Sequence, residues 1–207
     1  MKGIMVFLML GVIPAFGGSR TAPIRLYTQF QHQPPDAVLE AIQEELQNVM
    51  MPAGIDFEWR SLANSMGNEV SVELAVIHFK GTCALTDLAP TEIYPGPLGW
   101  THMSDGEILP FSDINCDGIR GFIQRGLLQL PEAVRETAYG RAIARVLAHE
   151  LYHILAKTTK HAAWGIGKPA YTVQELLSTR FEFEKKQCDT LKAHQARLAL
   201  IGGDAGQ

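Results

Sequence analysis

The feature that most constrains this chain is an apolar helical pattern that ends in the sequence HELYH, residues 149–153. Pro131 stands near its start, and apolar residues follow at close to helical spacing: Val134, Ala138, Ala142, Val146, Leu147, Leu151 and Leu155. This spacing predicts one long helix, from about Pro131 to Ala156, with one face in the core. Residues four apart on a helix lie one above the other, so His149 and His153 should point to the same place.

Two imidazoles that converge in this way indicate a zinc site. A catalytic zinc has three protein ligands and a water in the fourth position of a tetrahedral shell. Glu150 lies one residue after His149, where its carboxylate can reach that water. It can accept a proton as the water attacks a carbonyl, and return the proton to the leaving amine. The pattern therefore predicts hydrolysis of a peptide-like bond. The alternative is a buried helix whose histidines are hydrogen-bonded core residues.

The third zinc ligand has two candidates downstream of the helix. His161 follows His153 by eight residues and lies in a polar, glycine-containing loop, where the chain can turn back under the metal. Glu175 follows His153 by twenty-two residues and opens the next predicted helix. Glu175 already has a structural role, because Thr172 and Glu175 have the spacing of a capping box. We therefore expect His161 to be the ligand, with Glu175 as the alternative.

Length and charge favour one globular domain and exclude a nucleic-acid interface. The chain has 207 residues, a net charge of −4 and no run of lysine and arginine. Its first residues predict a secretory signal peptide, because Lys2 precedes an apolar run over residues 4–13 and small residues precede a cut after Gly17. The run is too short to span a bilayer comfortably. We expect a signal peptide over residues 1–17 and a secreted or periplasmic domain over residues 18–207, with no membrane span.

The three cysteines fit an oxidising compartment with one cysteine left over. Cys83 and Cys116 each end a segment that should lie in a sheet, whereas Cys188 lies in a helical pattern. We therefore expect a disulfide between Cys83 and Cys116. The alternative is three free cysteines buried as small apolar residues.

Strand and helix patterns precede the HELYH helix. Alternating or continuous apolar residues predict strands over residues 24–30, 55–60 and 70–80, and the last should be central because it is rich in valine and isoleucine. A helix capped by Asp36 is predicted to run to about Met50.

A hairpin and a C-terminal helix complete the predicted elements. The sequence predicts a hairpin of two strands, over residues 98–103 and 107–114, joined by a turn at Asp105-Gly106. The exposed edge of this ribbon could accept an extended peptide as an added strand. After the HELYH helix, Thr172 should open one long helix that ends near Ile201.

Two further polar groups are expected to have no metal role. His78 lies within the predicted central strand. Residues 113–118 (DINCDG) copy the opening of a calcium loop. However, Arg120 and Gln124 stand where such a loop needs an aliphatic residue and a glutamate. We expect a turn that is stabilised by Asx side chains instead.

The element order and the motif resemble the zincin metallopeptidases, in particular the metzincin branch. The resemblance covers most of residues 24–200 in element order, and in motif the residues His149, Glu150, His153 and, more loosely, His161. Metzincins carry HExxHxxGxxH and a later turn with a methionine beneath the metal. In this chain Ala156 replaces the glycine, Thr159 occupies the usual position of the third histidine, and no methionine follows Met103.

The resemblance implies an α+β, zincin-like fold: a twisted mixed sheet of about four to five strands with a packed helix, the HExxH helix and a C-terminal helix. It also implies Zn²⁺ as cofactor, a cleft along the edge strand and endopeptidase activity on proteins or peptides. Two alternatives stay open. One is a thermolysin-like zinc hydrolase with Glu175 as third ligand, and the other is a secreted binding domain that keeps the fold but lacks turnover.

Overall fold

The structure is a computed structural model that describes residues 23–65, 67, 71, 73–85, 88 and 96–204. The predicted signal peptide, residues 1–17, lies outside the described residues and stays a prediction. The predicted start of the central strand at Val70 was wrong, because Ser71 and Glu73 are described and are not in a strand, which begins at Leu74.

A mixed sheet forms the frame of the described structure. Its strands are β1 (Ile24–His32), β2 (Phe57–Ser61), β3 (Leu74–Thr82), β4 (Gly99–Ser104) and β5 (Glu107–Asn115). They lie in the order β2-β1-β3-β5-β4, and every neighbouring pair is parallel except β4 with β5, which is antiparallel. This confirms the predicted α+β class with its mixed sheet. It also places β3, which carries His78, at the centre.

The helices of the described chain are α1 (Asp36–Met50), α2 (Cys116–Leu127), α3 (Arg135–Ala156), α4 (Val173–Leu177) and α5 (Lys185–Asp204). The HELYH helix is α3, and it packs along α1 in one buried core shared with the strands. A side-chain carbon at Gly140 would lie 2.6 Å from Cβ of Ala41 and 2.7 Å from the carbonyl oxygen of Val38. Glycine therefore sets how closely the two helices approach.

The predicted hairpin is confirmed and forms one edge of the sheet. Asp105 and Gly106 have φ of 52° and 80°, which are the left-handed conformations that a type I′ turn requires. Side chains alternate between the two faces of β4, so Gly99 lies against α3, whereas His102 bonds to Asp113 on the opposite face. Among the described strands, β4 pairs only with β5, which leaves its outer edge free.

Helix α2 was not predicted from the sequence. Asn115 is its N-cap, and the Asn115 side chain accepts a hydrogen bond from the Gly118 N–H at 2.8 Å. The expected Asx interaction is therefore present, and it starts a helix at Cys116. This helix occupies the residues that a calcium loop would need.

Two helix predictions were wrong. Asp36 is not a cap, because α1 begins at Asp36 itself and Pro35 is the N-cap residue, with no side-chain cap bond. The long helix predicted from Thr172 is divided into α4 and α5. The reason is Arg145, whose Nη1 donates to the carbonyls of Glu175 and Leu176 at 2.8 and 3.0 Å. A continuing helix would need these carbonyls for its own hydrogen bonds.

Cys83 and Cys116 form a disulfide, which is the pairing expected from the sequence. Cys188, in α5, is free. No helix within the described residues combines the length and the apolar character needed to cross a membrane.

Candidate metal centre

The α3 helix presents His149 and His153 on one face, as the four-residue spacing predicts, and both side chains are buried. Their Nε2 atoms lie 3.0 Å apart. The ring of His161, which is exposed, lies 5.2 Å from the ring of His149 and 4.9 Å from that of His153, between centroids. One ring nitrogen from each histidine lies within 4.8 Å of the others, close enough to hold a metal ion. Metal binding by these residues stays a prediction.

A left-handed residue returns the chain to the two helical histidines. The α3 helix ends at Ala156, and Lys157 adopts φ 47° and ψ 48°. Its N–H and that of Thr158 donate to the carbonyls of Ile154 and His153 at 3.4 and 3.3 Å. Ala156, which replaces the glycine of the metzincin pattern, is still helical. The chain therefore reverses at Lys157, one residue after the position of the metzincin glycine. This agrees with the position of His161, which lies two residues after the usual position of the third histidine.

Backbone carbonyls fix the tautomers of the two helical histidines. Nδ1 of His149 bonds to the carbonyl of Ile166 at 2.8 Å, and Nδ1 of His153 bonds to that of Thr158 at 2.6 Å. A carbonyl can only accept, so each Nδ1 carries the hydrogen and each neutral ring keeps a lone pair on Nε2. Metal-binding histidines commonly have their second nitrogen bonded in this way.

These donors fit a zinc ion. Zn–N bonds of ~2.0–2.1 Å at a tetrahedral angle place two ligand nitrogens roughly 3.3 Å apart, and the Nε2 atoms of His149 and His153 lie 3.0 Å apart. Burial also keeps the rings neutral, because it lowers the pKa of His149 to about 4 and lowers the pKa of His153 below its ordinary value. Neutral imidazoles that share one approach are the ligands zinc prefers.

The Glu150 carboxylate lies beside the histidines and beneath the edge strand. It is buried, and its Oε2 accepts a hydrogen bond from the Thr101 hydroxyl at 2.7 Å. Burial raises the pKa of Glu150 to about 7, against the opposing effect of the Thr101 bonds. A carboxylate with a pKa near neutrality suits transfer of a proton in both directions.

A cavity of about 510 Å³ opens over the three histidines and Glu150. Its volume lies within the range of small-ligand sites. Glu150 is the one acidic residue among its described lining residues, which include no lysine or arginine. Apolar side chains from the hairpin, α2 and α3 form much of its wall: Leu98, Trp100, Met103, Ile108, Phe122 and Val146. The cavity therefore suits an uncharged, largely apolar group next to the metal site.

Glu175, the alternative ligand, is not in the histidine group. Its carboxylate forms the predicted capping box with Thr172 and also accepts two hydrogen bonds from Lys168 Nζ, at 2.6 and 2.7 Å. The hydrogen bonds from Lys168 lower the pKa of Glu175 most, and the bonds from Thr172 lower it further. Both oxygens therefore have structural partners.

Several contributors to the site were not singled out from the sequence. Thr101 contacts Glu150 across 49 positions, and the carbonyl of Ile166 contacts His149 across 17. The Tyr171 hydroxyl donates to that same carbonyl, and its ring lies edge-on to His149, with 5.9 Å between centroids. The one sequence signal for Thr101 was strand alternation, which places Gly99 and Thr101 on the same face of the predicted strand.

Comparison with known proteins gives a structural likeness and no sequence match. No family model matches the chain, and no curated protein matches it. Its fold is similar to that of a zinc-dependent peptidase from Methanocorpusculum labreanum, with a TM-score of 0.52, 12% identity, and coverage of 81% of this chain and 99% of the other. It is also similar to an archaemetzincin from Methanopyrus kandleri, with a TM-score of 0.47, 13% identity, and coverage of 90% and 100%. The first likeness shows a shared fold.

Proposed function

We propose that this protein is a zinc-dependent metallopeptidase of the metzincin-like kind. The observation that carries the proposal is the convergence of His149, His153 and His161, with a buried glutamate directly beside them. The fold shared with a protein described as a zinc-dependent peptidase supports the assignment. In this proposal the three histidines hold Zn²⁺, and Glu175 serves as a helix cap.

Zinc held by three imidazoles supplies Lewis acidity, which activates water and polarises a carbonyl group. The carbonyls of Ile166 and Thr158 hold the two helical rings in the tautomer that exposes Nε2. Glu150 accepts a proton from the attacking water and returns it to the amine that leaves. The apolar wall of the cavity excludes water from the side of the site where a substrate side chain would lie.

The proposed substrate is a protein or peptide in an extended conformation. No described strand pairs with the outer edge of β4, and residues of β4 line the cavity, so a peptide can add there as a strand. A substrate that is bound through its backbone can continue past the site in both directions, so we propose endopeptidase activity.

We also propose that the protein acts outside the cytoplasm. The predicted signal peptide motivates this proposal, and the Cys83–Cys116 disulfide supports an oxidising environment.

The test combines zinc content with peptide hydrolysis. We expect one zinc per chain by elemental analysis and cleavage within a mixture of internally quenched peptides. The Glu150→Gln variant should keep its zinc and lose more than about 100-fold in kcat, because a general base contributes roughly 10²–10⁴-fold.

The ligand assignment has a matched pair of variants. His161→Ala should lose zinc, whereas Glu175→Ala should keep it and lose only about 1 kcal/mol of stability with its cap. Zinc that is lost with Glu175 and kept without His161 would move the assignment to the thermolysin-like alternative. Zinc-loaded protein that cleaves none of the peptides would favour a binding domain.

A further inference from the structure

The Thr101 hydroxyl is the link between the edge strand and the proposed general base. Thr101 Oγ1 lies 2.7 Å from Oε2 of Glu150, 3.2 Å from the Glu150 backbone carbonyl and 2.8 Å from the hydroxyl of Ser112. A hydroxyl has one hydrogen to donate, and the bond to a carboxylate is shorter and stronger than that to a neutral carbonyl. Thr101 therefore donates to Glu150, and Ser112, which is fully buried, can donate to Thr101.

The edge strand is built to approach Glu150 closely. Gly99 lies on the same face of β4 as Thr101, and a side-chain carbon there would lie 2.9 Å from Cγ1 of Val146 and 3.1 Å from Oε1 of Glu150. Because glycine has no side chain, β4 can approach Glu150 closely at this position. The Thr101 hydroxyl therefore lies within hydrogen-bond distance of the Glu150 carboxylate. Ser112, opposite Thr101 in the β4–β5 pair, holds the hydroxyl from the other side.

We propose that Thr101, supported by Ser112, is a positioning residue that sets the orientation of the Glu150 carboxylate for catalysis. This inference rests on the proposed function. The Thr101 hydroxyl donates to Oε2, and the Thr101 backbone also contributes a hydrogen bond to the carboxylate. The carboxylate, held in this orientation, takes the proton of the attacking water as the water oxygen bonds to the carbonyl carbon. The same proton passes to the amine nitrogen as the carbon–nitrogen bond breaks, and the Thr101 proton stays in place.

A structural role alone would predict something different. If the Thr101 hydroxyl only satisfied a buried carboxylate, its loss would lower the stability of the folded protein and leave turnover per folded, zinc-loaded molecule unchanged. If it orients the carboxylate, its loss lowers kcat while zinc binding and substrate binding persist. Comparing valine with serine at this position separates the two roles, because serine keeps the hydroxyl and valine keeps the shape.

The first arm of the test is kinetic and uses zinc-loaded full-length protein. Thr101→Val should lower kcat about 10- to 100-fold, part of the ~10²–10⁴-fold that a general base supplies, with zinc content unchanged and KM within about twofold. Thr101→Ser should recover kcat to within about threefold of wild type. Thr28→Val is the matched control, because Thr28 is a buried strand threonine that bonds to the Arg60 carbonyl, away from the site. Equal kcat in Thr101→Val and wild type would overturn the inference.

The second arm does not depend on turnover. The measurement is the crystal structure of the zinc-loaded wild type and of the Thr101→Val and Thr101→Ser variants. The Glu150 carboxylate should have a single orientation in the wild type and in Thr101→Ser, which keep the hydroxyl. In Thr101→Val it should be rotated away or occupy two orientations. The same orientation in all three proteins would refute the inference. If the wild type cleaves no peptide, the proposed function fails, and the three structures still decide the role of Thr101.

Discussion

The buried Arg145 guanidinium ties the candidate site to the rest of the core, and its removal is the sharpest test of how the fold holds the site. Arg145 lies one helical turn before His149 and is fully buried. Its Nε donates to Glu45 of α1 at 2.7 Å, and its Nη1 donates to the carbonyls of Glu175 and Leu176. One side chain therefore joins α1, α3 and α4. The proposed perturbation is Arg145→Met, which keeps an unbranched apolar chain and removes the charge.

The expected magnitude follows from the groups left behind. Glu45, whose side chain is 11% exposed, would lose its cation, and removing one partner of a buried ion pair typically destabilises by ~3–5 kcal/mol. The two carbonyls of α4 would also lose their donor, although water can reach this segment in part. We therefore expect Arg145→Met to lower the free energy of unfolding by about 3–5 kcal/mol, a large share of the ~5–15 kcal/mol typical of a domain.

The assay is urea unfolding followed by circular dichroism, with the disulfide intact. At an m-value of ~2–3 kcal/mol/M, the midpoint should fall by roughly 1–2.5 M. Arg125→Met, the same change at an exposed arginine of α2, should alter the free energy of unfolding by less than about 1 kcal/mol. The double variant Glu45→Leu, Arg145→Met should be more stable than Arg145→Met alone, because no carboxylate is left unpaired. A midpoint shift below about 0.3 M in Arg145→Met would refute the reasoning.

Three further predictions concern the backbone and the disulfide. Lys157→Gly should keep the metal site and be at least as stable in urea as the wild type, because the left-handed conformation costs residues other than glycine ~1–2 kcal/mol. Lys157→Val should lose both stability and zinc. Gly140→Ala should destabilise by about 1–3 kcal/mol through its clash with α1, although alanine favours helices, and a rise in the urea midpoint would contradict this. The Cys83–Cys116 disulfide spans 33 residues, so replacing both cysteines with alanine should destabilise by roughly 3–4 kcal/mol. Reductant should then lower the midpoint of the wild type and leave that of the double variant unchanged.

The parts of the fold that local sequence pattern determines were predictable. The HELYH helix, the hairpin turn at Asp105-Gly106 and the capping box at Thr172 and Glu175 each depend on residues within a few positions of one another. The hairpin turn, the capping box and the end of α3 at Ala156 match the expectations, because periodicity, turn conformation and capping act over one or two turns of chain. The start of α3 differs from the prediction: it lies at Arg135 rather than near Pro131, after a short 3₁₀ helix over Glu132–Val134.

The remaining features depend on contacts between distant segments. The division of the last helix results from Arg145, thirty positions before Glu175, which takes the carbonyls that the helix would have used. Helix α2 contains three glycines, at positions 118, 121 and 126, which lowers its intrinsic helix propensity. Its Asn115 cap and its buried apolar face stabilise it within the fold. The Thr101 contact with Glu150 joins a strand and a helix that no local pattern relates.

The left-handed Lys157 has a consequence for how distant members of this architecture are found. A search pattern that fixes a glycine and a third histidine at set distances from HExxH describes one solution to a geometric requirement. The requirement itself is that the backbone reverses after the helix and brings a third imidazole close to the two imidazoles of the HExxH motif. Here a lysine makes the reversal one residue late and the histidine arrives two residues late, yet the three rings meet. Patterns that let the reversing residue and the histidine shift together would include chains that a fixed spacing excludes.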